Sequence, residues 1–79
     1  MKKTFNDIVT EVFKVTADDI QDNLSSKDIP EWDSMNYLFF IAELEKHFGV
    51  VFTMDEVIQA KTLGDIRKIV DTRTITHDI

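Results

Sequence analysis

Seventy-nine residues, 43% of them hydrophobic, suffice for one small folded domain with a single core. Fifteen acids against nine bases give a formal charge of −6, a balance that disfavours nucleic acid and anionic lipid as partners. The sequence has no cysteine, which excludes disulfides, thiolate catalysis and thiolate zinc sites from its own side chains.

The chain starts with Met1-Lys2-Lys3, as a secretion signal would. Asn6, Asp7 and Glu11 then interrupt the apolar core such a signal needs. No apolar run reaches transmembrane length. A cytoplasmic monomer without membrane insertion is expected.

Phe5, Ile8, Val9, Val12 and Phe13 recur at the spacing of an amphipathic helix, with Thr4 and Asp7 as its capping pair. Residues 15–32 hold the only proline, and between Asp18 and Asp33 six acids stand against Lys27 alone. This reads as a long acidic loop, pinned to the core by Val15, Ile20, Leu24, Ile29 and Trp32. Loops of that length in compact domains are often functional. A second helix should run from Ser34 to Phe48, with Asp33 as N-cap, Lys46 and His47 at its negative end, and Gly49 just beyond. Thr53-Met54-Asp55-Glu56 forms a capping box for a short third helix over residues 54–60. Thr62 to Asp65 opens a fourth, with Leu63, Ile66, Ile69 and Val70 facing inward. The expected fold is an all-α four-helix bundle, a domain over residues 1–73. Residues 74–79 lack a helical period and read as a frayed tail.

On a helical wheel, Tyr37, Phe40, Ile41, Leu44 and Phe48 share one face of the second helix. Met35, Phe39, Ala42 and Lys46 lie opposite, with Leu38 between. A helix in so small a bundle buries part of its circumference, so Met35 and Phe39 should be exposed, each at about 1.5–3 kcal/mol relative to burial. A docking patch for protein partners accounts for that cost.

Ser34 sits in the first turn of this helix, where backbone N–H groups and the helix dipole favour a phosphate. A nucleophilic serine would need a base within reach. His47 stands about 20 Å along the same helix at ~1.5 Å per residue, and His77 lies in the tail. There is no triad, phosphate-binding glycine loop or metal-ligand spacing, so neither a catalytic nor a metal site is expected.

Trp32-Asp33-Ser34-Met35-Asn36, followed by Ile41-Ala42-Glu43-Leu44-Glu45-Lys46-His47-Phe48-Gly49, resembles the acyl carrier protein family. That family carries Asp-Ser-Leu at the start of its second helix and Leu-Glu-x-x-Phe near its end. The likeness spans nearly the whole chain. It implies that a phosphopantetheinyl transferase joins the Ser34 hydroxyl to 4′-phosphopantetheine from coenzyme A, whose thiol then carries acyl or aminoacyl cargo. Asp33 and Met35 flank the attachment site in the family motif. The implied role is a freestanding carrier, not an enzyme, that serves acyl-loading and acyl-processing enzymes in fatty-acid, polyketide or another specialised acyl pathway. An aminoacyl, peptidyl or D-alanyl carrier is the alternative, and an unmodified helical adaptor is a further one. The expected partner face is Met35, Phe39 and Ala42, flanked by Glu31, Asp33, Asp55 and Glu56. Phe40, Ile41, Val57 and Ala60 are the expected walls of a cargo space between the second and third helices. The sequence departs from the family where Met35 replaces leucine and Asn36 and Phe39 stand where acids are common.

Overall fold

In a computed structural model, residues 3–76 are described. Four α-helices follow in order: α1 (Phe5–Phe13), α2 (Ser34–Phe48), α3 (Met54–Gln59) and α4 (Leu63–Thr76), with one 3₁₀ turn at Ala17–Asp19. The described residues contain no strand, only an isolated antiparallel bridge between Ser25 and Thr62.

Local chemistry sets most helix ends. Thr4 and Asp7 form a reciprocal capping box on α1, and Thr53 and Glu56 form another on α3. Asp33 accepts the Asn36 N–H at 2.8 Å, which caps α2. Gly49 ends α2 in the left-handed region, φ 66°, where a side chain would be strained. Thr62 receives the Asp65 N–H, and the Asp65 carboxylate receives the N–H groups of Lys61 and Thr62. Those bonds, led by the one from Lys61, hold the Asp65 carboxyl below its usual range.

The α1 stripe of Phe5, Ile8, Val9, Val12 and Phe13 is buried throughout. It meets Phe40, Ile41 and Leu44 of α2 and Leu63, Ile66 and Val70 of α4. Phe40 packs against Phe5 and Phe13 at ring-centroid distances of 5.7 and 4.8 Å. The link from α2 to α3 adds Val50 and Phe52, both buried, while Val51 between them points to solvent. This is the alternation of an extended segment. The Glu45 carboxylate accepts the Phe52 N–H and anchors that segment to α2.

The long first loop is held, as its scattered apolar residues led us to expect. Ile29 is buried, and Val15, Ile20, Leu24 and Trp32 pack on the core. The loop is also tied to the start of α4. Leu63 N–H donates to the Leu24 carbonyl at 3.0 Å, and Gly64 N–H to the Asp22 carbonyl at 2.8 Å. Arg67 of α4 completes the joint: its guanidinium lies 4.5 Å above the Phe5 ring and donates to Asp22 and Asn6.

Two expected boundaries shift. The third helix ends at Gln59, with Ala60 as its C-cap in an extended conformation. The fourth runs to Thr76 instead of stopping at Arg73. Backbone hydrogen bonds, which need no apolar period, decide where a helix stops. The remaining tail residues, 77–79, lie outside the described region.

Gly64 is required by a close approach. A Cβ there would stand 2.8 Å from Asp22 Cβ and 3.0 Å from the Asp22 carbonyl oxygen. Gly64→Ala should cost about 1–3 kcal/mol by forcing the loop away from α4, or roughly 4–8 °C per kcal/mol in melting temperature for a domain this size. Thermal unfolding followed by circular dichroism measures it.

Glu56 yields a pH prediction. The Arg73 guanidinium, at 2.6 Å, holds its carboxyl below the usual range, helped by the Thr53 N–H. A depressed folded-state pKa stabilises the fold above the ordinary carboxylate range, and this contribution fades as pH falls through the folded value. The stability difference between the wild type and Glu56→Gln should therefore be present at neutral pH and vanish on acidification. Urea unfolding across that range checks it.

Candidate modification site on the second helix

Ser34 is the first residue of α2 and is exposed. Its setting is made by the preceding turn. Trp32 N–H donates to the Ile29 carbonyl, Asp33 N–H to the Glu31 carbonyl, and the Asn36 side-chain amide donates to that same Glu31 carbonyl at 2.9 Å. Asn36 thus ties the loop to the helix. Asp33 takes the Asn36 N–H with its side chain and the Tyr37 N–H with its carbonyl. The N–H groups of Ser34 and Met35, in the first turn, have no intrahelical acceptor.

An aromatic stack holds this turn in place. The Trp32 ring stacks on Phe13 at 5.1 Å and on Tyr37 at 5.5 Å. The Tyr37 hydroxyl donates to the Val57 carbonyl near the end of α3 at 2.7 Å. Burial, with the Asp65 charge as a lesser cause, pushes the Tyr37 phenol above its ordinary pKa. It therefore stays a donor at any physiological pH.

The only histidine among the described residues is His47. Its Nε2 lies 3.4 Å from the Glu43 carboxylate at the far end of α2, away from Ser34. Ser34 thus has no imidazole within reach among the described residues.

The residues expected to meet partners fall into two groups. Met35 and Phe39 are exposed, at 81% and 55%, and Ala42 with them. Leu38, placed on the flank by the wheel, is exposed to a similar degree, 58%. Asp33 and Asp55 are exposed and Glu31 is half-buried. Glu56 is committed to the α3 cap and to Arg73, so its charge is largely spent within the fold. The wheel of α2 alone missed Met54 and Ile58, which stand exposed one turn apart on α3. Their i, i+4 spacing was the available signal.

The four residues expected to wall a cargo space lie in or against the core. Phe40 and Ile41 are closed in the core, and Val57 and Ala60 pack against it. None of the four lines the clefts at Glu56–Arg73, at Ser26–Tyr37 or at Phe13–Glu31. Ser34 does border a cleft, of about 370 Å³, together with Ser26, Trp32, Asp33 and Tyr37.

Comparison with known proteins agrees with this arrangement. The family model described as "Phosphopantetheine attachment site" matches residues 3–70. An acyl carrier protein of Lactobacillus acidophilus is 34% identical over 59 residues, which cover 75% of this chain and 74% of that protein. A solved structure of a proposed acyl carrier protein (Rv0033) from Mycobacterium tuberculosis superposes with a TM-score of 0.77 at 25% identity, over 87% of this chain and 92% of that one. With a helical fold of the same kind and a family match over nearly its whole length, this chain belongs to the acyl carrier protein family of phosphopantetheine-attachment domains.

Proposed function

We propose that Ser34 is the attachment point of 4′-phosphopantetheine and that the protein carries acyl groups as thioesters for partner enzymes of a specialised acyl pathway in the cytoplasm. The observation that carries this reading is the exposed serine at the first position of α2, inside the matched family domain. The residues present suit a phosphodiester. The Ser34 hydroxyl opens to solvent, the first-turn N–H groups and helix dipole favour its negative charge, and the Asp33 carboxylate is engaged by the Asn36 N–H. The attached group supplies the thiol that the cysteine-free chain lacks. The chain's own part is to present Ser34 on a fixed turn and to offer a face that partners recognise.

That face is Met35, Leu38 and Phe39, with Ala42 beside them and acids at Glu31, Asp33 and Asp55. Exposed apolar side chains cost stability unless a partner covers them, and the acids steer basic partner surfaces towards them. The transferase and the acyl-loading and acyl-processing enzymes would share this face.

Incubation with coenzyme A, magnesium and a broad phosphopantetheinyl transferase should add one arm to the intact mass. Ser34→Ala should abolish that gain and leave helix content nearly unchanged, because Asp33 remains as cap. A variant that gains mass like the wild type would move the site elsewhere. A wild-type chain that gains none would favour an unmodified adaptor.

Phe39→Ala should lower turnover by a partner enzyme about tenfold or more, since an interface anchor carries roughly 1–2 kcal/mol and 1.4 kcal/mol is a decade. Fold stability should change by no more than about 0.5 kcal/mol, as for an exposed side chain. Partner kinetics and a melting curve on the same sample read both effects. Early melting with normal turnover would place Phe39 in the core and remove the docking face.

A further inference from the structure

We infer that the cleft bordered by Ser26, Trp32, Asp33, Ser34 and Tyr37 is the resting site of the arm, which lies against the loop-side aromatic wall and outside the helical core. The inference rests on attachment at Ser34.

Three features support it. The first is the junction between α2 and α3. The Tyr37 hydroxyl spans it to the Val57 carbonyl, and Phe40 and Ile41 behind it are almost fully buried. A group leaving Ser34 would have to break that bond and displace packed side chains to go inward, at the cost that overfilling a close-packed core brings.

The second is position. Two further clefts are lined by α3–α4 residues such as Glu56 and Arg73, and by loop residues around Lys14 and Pro30. Neither includes Ser34. The cleft of about 370 Å³ does, and its size lies within the ~300–1,000 Å³ typical of small-ligand clefts.

The third is chemistry. Pantetheine is a linear diamide with geminal methyl groups, so it needs apolar contact and hydrogen-bond partners along one length. Trp32 and Tyr37 offer apolar edges, and the two serine hydroxyls and the Asp33 carboxylate offer polar groups. Stacking on Phe13 and Tyr37 holds the indole in one orientation before the arm is attached, which lowers the ordering cost of binding.

The test uses the full chain, ¹⁵N-labelled, before and after attachment, with conversion verified by intact mass. Trp32 is the only tryptophan, so its indole N–H resonance and its emission report the cleft without ambiguity. The indole resonance and the Ser26 amide should both shift on conversion, together with residues 33–36, and the emission should change. In Ser26→Phe, a loop substitution that fills the cleft, mass gain should persist while the conversion-linked indole shift is lost. Shifts confined to residues 33–36, or an indole shift that survives in Ser26→Phe, would overturn the inference while leaving attachment at Ser34 intact. Absence of any mass gain would instead strike the attachment itself.

Discussion

The stack of Trp32 on Phe13 joins the long loop to the core, and the geometry at Ser34 depends on it. Phe13, the last residue of α1, is fully buried against Phe40, so the indole rests on the core. From that anchor the chain has one residue, Asp33, before α2 begins. The serine is thus fixed to the core by two covalent steps and one aromatic contact, and Tyr37 returns from α2 to close the stack from its other side. In a domain this small, with no disulfide, aromatic contact area is the means available to hold a loop of such length.

The second tether lies in the middle of the loop. Asp22 and Leu24 give their carbonyls to Gly64 and Leu63, and Arg67 reaches back to Asp22 and Asn6 over the face of Phe5. Loop, α1 and α4 therefore meet in one joint. Its polar bonds are made with partners of fixed geometry, which is where hydrogen bonds add specificity as well as stability. Pinned at its middle and at its C-terminal end, the acidic loop presents its charges from a defined surface and not from a wandering chain. Among the ion pairs of the described residues, only Asp22 comes from the loop, so Asp18, Asp19, Asp28 and Glu31 contribute their charge to the long-range field.

The faces of α2 are divided by what the core has room for. Phe40, Ile41 and Leu44 saturate the contact with α1 and α4, and Met35, Leu38 and Phe39 are left in water. On α3 the same division leaves Met54 and Ile58 outside. Apolar side chains next to an exposed serine are costly to leave in water. The Tyr37–Val57 bond ties α2 to α3.

The sequence by itself determined the local decisions. Helix identity followed from apolar spacing, and the caps at Thr4, Asp33 and Thr53 and the stop at Gly49 involve residues within four positions of one another. The Asp33-Ser34 pair, its helix and the family likeness were legible for the same reason. Tertiary structure alone decided the rest, because the deciding contacts join residues far apart in the chain. Arg67 meets Asn6, Gly64 meets Asp22, and Tyr37 meets Val57 across a gap that composition cannot reveal. The sequence listed small and medium residues on facing helices, and these suggested an interior space. Whether such residues leave a cavity depends on how closely the helices approach and on what fills the seam. Here the Tyr37 hydroxyl bonds the Val57 carbonyl across the seam, Phe40 and Ile41 are buried, and one open cleft stands at the surface beside Ser34.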